Sequence, residues 1–332
     1  MLIQWLTFAL ASVAVVFAGI RLASFGDALG KRLGIGQGWV GLLFLATVTS
    51  IPELTTTVTG ATIGAPNIAL GNALGSNLFN VAIIAFVDIL LLRRGTLLRK
   101  VRYYHVASAG VAIVLTSLAM LGIVLETRPI FFGIGPITLA ILVGYIAGVF
   151  LLFHVEKREA PPEPSEGKPR STRAASIGFA VCAAIIIVSG VFLVRAAKEI
   201  ATSTGLSSSF MGAVLVAIVT SLPELATSIG SLRLKAYDMI IGNLFGSNMF
   251  NILTVFFADV AFRRGSLLAS LGDGATDQLV LGMLGIAIAG VAIIGIGARS
   301  RRTLLTVGVD AALILAIYLG ATALLVHRGV NL

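Results

Sequence analysis

The chain has 332 residues, of which 57% are hydrophobic and only 12% charged, about half the charged share of a soluble domain. Its mean hydropathy is +1.01, and apolar runs recur at roughly the 18–25 residues that cross a bilayer as helix. That excludes a soluble protein, and it excludes a β-barrel, whose strands would alternate in segments of about ten residues. The net charge of +9 reads as loop asymmetry of a membrane protein rather than affinity for nucleic acid.

The first apolar run, 4–24, has no positive segment ahead of it and is expected to be a first span rather than a cleaved signal. Further spans are expected at 39–63, 67–92, 103–124 and 129–153. Residues 154–173, HVEKREAPPEPSEGKPRSTR, are charged and rich in Pro, the composition of a solvated linker. Five more spans follow at 174–197, 209–232, 238–261, 277–297 and 303–326. The expected fold class is an all-α membrane protein of ten transmembrane helices. Its organisation is 1–153 as a first five-helix repeat, 154–173 as a cytoplasmic linker and 174–332 as a second five-helix repeat.

With both termini outside, eighteen of the 24 Lys and Arg residues fall in cytoplasmic loops and six outside, the bias that sets orientation. An odd number of spans per half makes the two halves insert with opposite orientation. Inverted repeats of this kind are a recurring plan of secondary transporters, with the site near the membrane midplane.

The repeat is written in the letters. TSIPELTT at Thr49–Thr56 returns as TSLPELAT at Thr220–Thr227, and GNALGSNLFN at Gly71–Asn80 returns as GNLFGSNMFN at Gly242–Asn251. The offset from Thr49 to Thr220 is the same as that from Gly71 to Gly242, so the two blocks keep their spacing in both halves. Pro52 and Pro223 lack the amide that continues a helix, so each span must kink or break there. In lipid a break is tolerated only inside protein or beside a wet cavity. Glu53 and Glu224 lie within a turn of the break, beside the hydroxyls of Thr49, Ser50, Thr220 and Ser221. A carboxylate in hydrocarbon is expensive and is normally kept for function.

In the following span the four-residue spacing of Gly71 and Gly75, and of Gly242 and Gly246, lets helices approach closely. Ser76 and Asn80, and likewise Ser247 and Asn251, share a face. Asn72, Asn77, Asn243 and Asn248 are expected to hydrogen-bond the broken helices. The donor set is carboxylate, hydroxyl, amide and carbonyl oxygen, which suits hard cations such as Na⁺, Ca²⁺, Mg²⁺ or Mn²⁺. Two carboxylates would neutralise one divalent ion, and when it leaves, protons or Na⁺ compete for the same oxygens.

The remaining polar residues read as structural. Asp88 and Asp259, each just before an Arg-Arg-Gly run, are expected to pair with those arginines. Asp310, about two turns inside the last span, is expected to pair with Arg301 or Arg302. His105, His154 and His327 lie near span ends and are expected at the interface, and Cys182, the one cysteine, can form no disulfide within the chain.

These paired motifs resemble the two α-repeats of the cation/Ca²⁺ antiporter superfamily, which includes the sodium/calcium exchangers. The resemblance covers both halves. It implies ions bound between helices 2, 3, 7 and 8, with helices 1 and 6 sliding past a fixed core to give alternating access. Glu53 and Glu224 match the family's ion-binding glutamates. Thr49 and Thr220, followed by Ser50 and Ser221, match residues lending oxygen to Ca²⁺ or Na⁺. Ser76 and Ser247 match the serines of the second motif, and the carbonyls of Ala46 and Ala217 match an outer Na⁺ position. Two departures stand out. Asn80 and Asn251 occupy positions where one copy often carries Asp, which weakens the case for K⁺ dependence and fits proton-coupled members. Val48 and Val219 stand where Gly is usual.

The implied activity is exchange of Ca²⁺ for Na⁺ across a cell membrane, with no cofactor and the lipid bilayer and ions as partners. H⁺-coupled exchange of Ca²⁺ or another divalent cation is the alternative. A passive cation channel and an intramembrane hydrolase are further readings. The hydrolase lacks a plausible nucleophile or metal-binding histidine. The sequence leaves the oligomeric state open.

Overall fold

The computed structural model describes residues 2–91, 96–127, 129–130, 133–158, 171–204, 216–299, 302–304 and 307–330. The helices run in the order α1 (Leu2–Leu33), α2 (Gln37–Thr49), α3 (Ile51–Thr62), α4 (Pro66–Leu90), the short α5 (Leu97–Lys100), α6 (His105–Leu125), α7 (Pro136–Arg158) and α8 (Thr172–Thr204). The second half continues with α9 (Ala217–Thr220), α10 (Leu222–Arg233), α11 (Tyr237–Ala261) and α12 (Ala275–Ala298). A small antiparallel pair, β1 (Thr303–Leu304) and β2 (Val307–Gly308), then leads into α13 (Val309–Val330).

Seven of these helices are long and apolar enough to cross a membrane, and the bent pair α2 and α3 makes an eighth. They fall on eight of the ten expected spans. Where the seventh span is expected lie α9 and α10, neither long enough by itself to cross a membrane, and the first residues of that stretch lie outside the described ones. The tenth appears as α13, whose apolar stretch Val309–Leu325 is shorter. Most of the linker, 159–170, also lies outside the described residues, as do Arg93, Arg94, Arg301 and the end of the chain.

α1 and α8 run on to Leu33 and Thr204, past the expected 24 and 197, and two helix starts differ for local reasons. α7 starts at Pro136 rather than 129, because Pro is favoured in a first turn, where its missing amide is no loss. α13 starts at Val309 because the preceding residues pair as strands. Asp310 therefore lies in the first helical turn, not two turns in, and accepts a hydrogen bond from the Ala311 amide at 3.0 Å. A carboxylate there meets the positive end of the helix dipole.

α2 and α3 meet at a 45° bend. Pro52 gives Val48 no amide to bond, and Ser50 takes φ −91° and ψ 9°, outside helical geometry. The second copy repeats this at Ser221, with φ −86° and ψ 10°, ahead of Pro223. Both broken helices also end alike. The Gly64 amide bonds the Ala61 carbonyl and the Ala65 amide bonds the Gly60 carbonyl. Lys235 to Leu232 and Ala236 to Ser231 do the same in the second half. Gly64 takes φ +76° and Lys235 φ +57°, the left-handed cap conformation.

The centre of the molecule is the crossing of α4 and α11, buried over most of their length. Asn77 donates to the Asn248 carbonyl, and Asn248 to the Asn77 carbonyl, each at 3.2 Å. These asparagines therefore tie α4 to α11, not the broken helices to their neighbours as expected. The two helices run antiparallel. Asn67, near the start of α4, donates to the Leu271 carbonyl just beyond α11. Asp238, at the start of α11, accepts from the Arg102 amide beyond α4.

Glycine makes the close contacts possible. A Cβ at Gly242 would stand 2.3 Å from the Gly38 carbonyl oxygen, and one at Gly246 2.3 Å from that of Leu42, so α11 packs backbone to backbone on α2. α1 lies on α10 where a Cβ at Gly19 would meet the Ala226 Cβ at 2.6 Å. α8 lies on α3 where a Cβ at Gly190 would meet Pro52 Cγ at the same distance. Gly19 and Gly190 are related by the same offset as the repeated motifs.

Two other expectations change. His105 is fully buried rather than interfacial, with its Nε2 3.1 Å from Asp238 Oδ1. Asp259 makes no ion pair among the described residues; it takes the Leu267 and Gly135 amides, at 2.6 and 2.7 Å. Asp88 takes the amides of Leu97 and Gly308, and its expected partners Arg93 and Arg94 lie outside the described residues. Burial decides this, because both aspartates lie inside the helix ends (3% and 1% exposed), among loop amides that need an acceptor.

Candidate functional site

The bend between α2 and α3 brings Thr49, Ser50 and Glu53 to the centre, and α9 and α10 bring Thr220, Ser221 and Glu224 there from the other side. Both glutamates are fully buried. Ser50 Oγ donates to Glu224 Oε1 at 3.1 Å, and Ser221 Oγ donates to Glu53 Oε1 at 3.1 Å. Each half thus supplies a hydroxyl to the carboxylate of the other. α11 adds Ser247, whose hydroxyl donates to Glu224 Oε1 at 3.1 Å. Ser76 on α4 pairs with Thr220 instead, Oγ to Oγ1 3.2 Å. Thr49 Oγ1 lies 3.4 Å from Ser247 Oγ. The remaining oxygens, Glu53 Oε2 and Glu224 Oε2, have no hydrogen-bond partner among the described residues.

The carbonyls of Ala46 and Ala217 each accept a backbone amide one turn on, from Ser50 and Ser221, at 3.0 and 3.1 Å. They also accept the hydroxyls of Thr49 and Thr220, at 3.4 and 3.1 Å. Asn80 lies farther along α4 and donates to Asn248 Oδ1 at 3.1 Å. Asn251 is buried with neither its amide nitrogen nor its oxygen paired among the described residues. The structure therefore gathers these residues into two bonded groups at one centre: Thr49, Ser50 and Ser247 about Glu224, and Ser221, with Ser76 and Thr220 through Asn72, about Glu53. Asn80 and Asn251 stand outside both.

A second ring of polar residues holds the first. Asn72 donates to the Glu53 carbonyl at 3.2 Å and to Thr57 Oγ1 at 3.0 Å, and Asn243 donates to Thr227 Oγ1 at 2.9 Å. These two asparagines do bond the broken helices, as expected. Thr57 and Thr227 were not read from the sequence as part of the site; their signal is a hydroxyl one turn beyond each glutamate, on the same half-helix.

Two carboxylates fully withdrawn from water carry a large desolvation cost. Each has one oxygen held by hydroxyls and one left open. Such an arrangement can take a hard cation, which supplies the missing charge and coordination at once.

A family model described as sodium/calcium exchanger protein matches residues 3–153 and 174–327. The chain is 28% identical over 251 residues to the putative antiporter CaxA of Alkalimonas amylolytica, covering 73% of this chain and 76% of that one. It is also 28% identical over 253 residues to the inner membrane protein YrbG of Escherichia coli, covering 73% and 74%. Among solved structures, the sodium-calcium exchanger NCX_Mj has the same fold, with a TM-score of 0.72 at 20% identity over 97% of this chain and 99% of that one.

Proposed function

Since this chain belongs to the sodium/calcium exchanger family, a family of multi-pass membrane antiporters, we propose that it exchanges Ca²⁺ for Na⁺ by alternating access. The observation that carries this reading is the reciprocal pair of serine-to-glutamate bonds, with one open oxygen on each fully buried carboxylate. In this reading Glu53 and Glu224 are the charged ligands. Thr49, Ser50, Ser76, Thr220, Ser221 and Ser247 lend oxygen, and the Ala46 and Ala217 carbonyls serve an outer Na⁺ position. The Thr49 and Thr220 hydroxyls now donating to those carbonyls would turn away and leave a carbonyl lone pair to the ion.

The ten-span, inverted-repeat organisation belongs to the same reading. The antiparallel crossing of α4 and α11 and the recurrence of contacts at the offset of the motifs support it. The charge bias places the 154–173 linker in the cytoplasm and both termini outside.

H⁺ coupling is the second reading, and one observation favours it. With Asn at both 80 and 251, the centre holds two carboxylates and no third, enough charge for one Ca²⁺ or two protons.

The deciding experiment is ⁴⁵Ca²⁺ uptake into proteoliposomes loaded with Na⁺, against matched vesicles with only a pH gradient. Uptake driven by internal Na⁺ and abolished by Glu53→Gln or Glu224→Gln is the expected result. Uptake driven by the pH gradient alone would move the coupling ion to H⁺. No uptake under either gradient would refute Ca²⁺ as the cargo.

A further inference from the structure

Asp88 and Asp259 lie in the last turns of α4 and α11, at equivalent positions of the two repeats. A carboxylate at the C-terminal end of a helix faces the negative end of its dipole and is unfavourable there. Both are nonetheless buried, and both are compensated in the same way. One oxygen of each accepts a backbone amide from the loop beyond its own helix: Leu97, nine residues on, for Asp88, and Leu267, eight residues on, for Asp259.

The second oxygen crosses to the other half. Asp88 Oδ2 accepts the Gly308 amide at 2.9 Å, immediately ahead of α13. Asp259 Oδ2 accepts the Gly135 amide at 2.7 Å, immediately ahead of α7, and the Thr138 hydroxyl. Each carboxylate thus sits at the positive end of the last helix of the opposite half. Because α4 and α11 are antiparallel, the two tethers stand at opposite ends of the bundle.

We propose that Asp88 and Asp259 are positioning residues for ion exchange, each setting the frame through which the ion path opens at its own end of the molecule. The proposal rests on the antiporter reading above. α4 carries Ser76 and Asn80, and α11 carries Ser247 and Asn251. The tethers fix both helices to α7 and α13 by directional bonds. α1 and α8, in contrast, meet the broken helices by close glycine packing: Gly19 against Ala226, Gly230 against the Ile20 backbone and Gly190 against Pro52. A rigid frame against a glycine-packed pair suits rigid-body gating. Loosening one tether should misplace the frame at that end alone.

The test uses the full chain with Cys182→Ala and Thr49→Cys, reconstituted in vesicles. The introduced thiol is labelled from either side with a membrane-impermeant methanethiosulfonate. Asp88→Asn is expected to change the labelling rate about tenfold from the Leu97 end, as loss of a charged hydrogen bond would, and to leave the other end unchanged. Asp259→Asn is expected to do the reverse. A purely structural role would alter both ends together or neither, and either result would overturn the proposal. If Asp259→Asn fails to fold, Thr138→Val decides, since it keeps the carboxylate: a change confined to the Gly135 end supports the proposal, and no change refutes it. Labelling needs no transported ion, so the antiporter reading is tested separately: absence of Ca²⁺ exchange in the unsubstituted chain, with Thr49 in place, would sink it.

Discussion

Glu224 accepts two hydroxyls, from Ser50 and Ser247, whereas Glu53 accepts one, from Ser221. The two carboxylates are therefore not equivalent, although their motifs are nearly identical. A hydrogen bond to a charged group is worth about 1.5–3 kcal/mol. Ser50→Ala and Ser221→Ala should each weaken Ca²⁺ binding about tenfold or more. Ser247→Ala should cost more than Ser76→Ala, because Ser76 reaches Thr220 rather than a carboxylate. Titration calorimetry on the purified protein would check the order, and equal losses for Ser76 and Ser247 would contradict it. The glutamates and their hydroxyls are legible in the sequence because polar residues in an apolar span are costly and these recur at one spacing. Their exchange of partners is not, since it depends on the register between helices from opposite halves of the chain. His105 fails for the same reason: its place near a span end points to the interface, while the fold buries it against Asp238.

The helices owe their shape to a few residues whose backbone role can be tested directly. Gly64 and Lys235 occupy the same left-handed cap after α3 and α10, a conformation that costs a residue with a Cβ about 1–2 kcal/mol. Lys235→Gly should therefore raise stability by about 1 kcal/mol, read as a higher unfolding temperature in detergent. An unchanged or lower temperature would mean that the lysine side chain compensates for its backbone. Gly246→Val should have the opposite effect, driving carbon into the Leu42 carbonyl and losing folded protein. Gly290→Ala has open space around it and should be neutral or slightly stabilising. The proline breaks and the Gly-xxx-Gly contact of α11 follow from local chemistry and could be read before the fold. The start of α7 carried its own local signal in Pro136, whereas the late start of α13 could not be read, because an apolar run does not say where backbone pairing takes over from helix.

At the scale of the molecule, the orientation proposed from basic residues has a direct check, helped by the chain's single cysteine. In a Cys182→Ala background, Arg99→Cys and Lys235→Cys should label from the cytoplasmic side, and Arg263→Cys from the other. Arg99, Lys235 and Arg263 are all exposed, so a thiol at each is open to reagent and clear of the central site. Labelling of the Arg99→Cys and Arg263→Cys chains from one and the same side would overturn the inverted arrangement.

By itself the sequence determined the class of molecule, its duplication and the oxygen chemistry of its centre. Hydrophobic length, the cost of charge in lipid and a repeated spacing are local properties, written in consecutive residues. Only the tertiary structure decided which half serves which. Ser50 crosses to Glu224 and Ser221 to Glu53, Asn77 and Asn248 lock α4 to α11, and Asp88 and Asp259 each take an amide of the opposite half. Those choices follow from the antiparallel packing of two similar halves. A buried acceptor takes the nearest unpaired donor in space, and that donor is rarely the nearest in the chain.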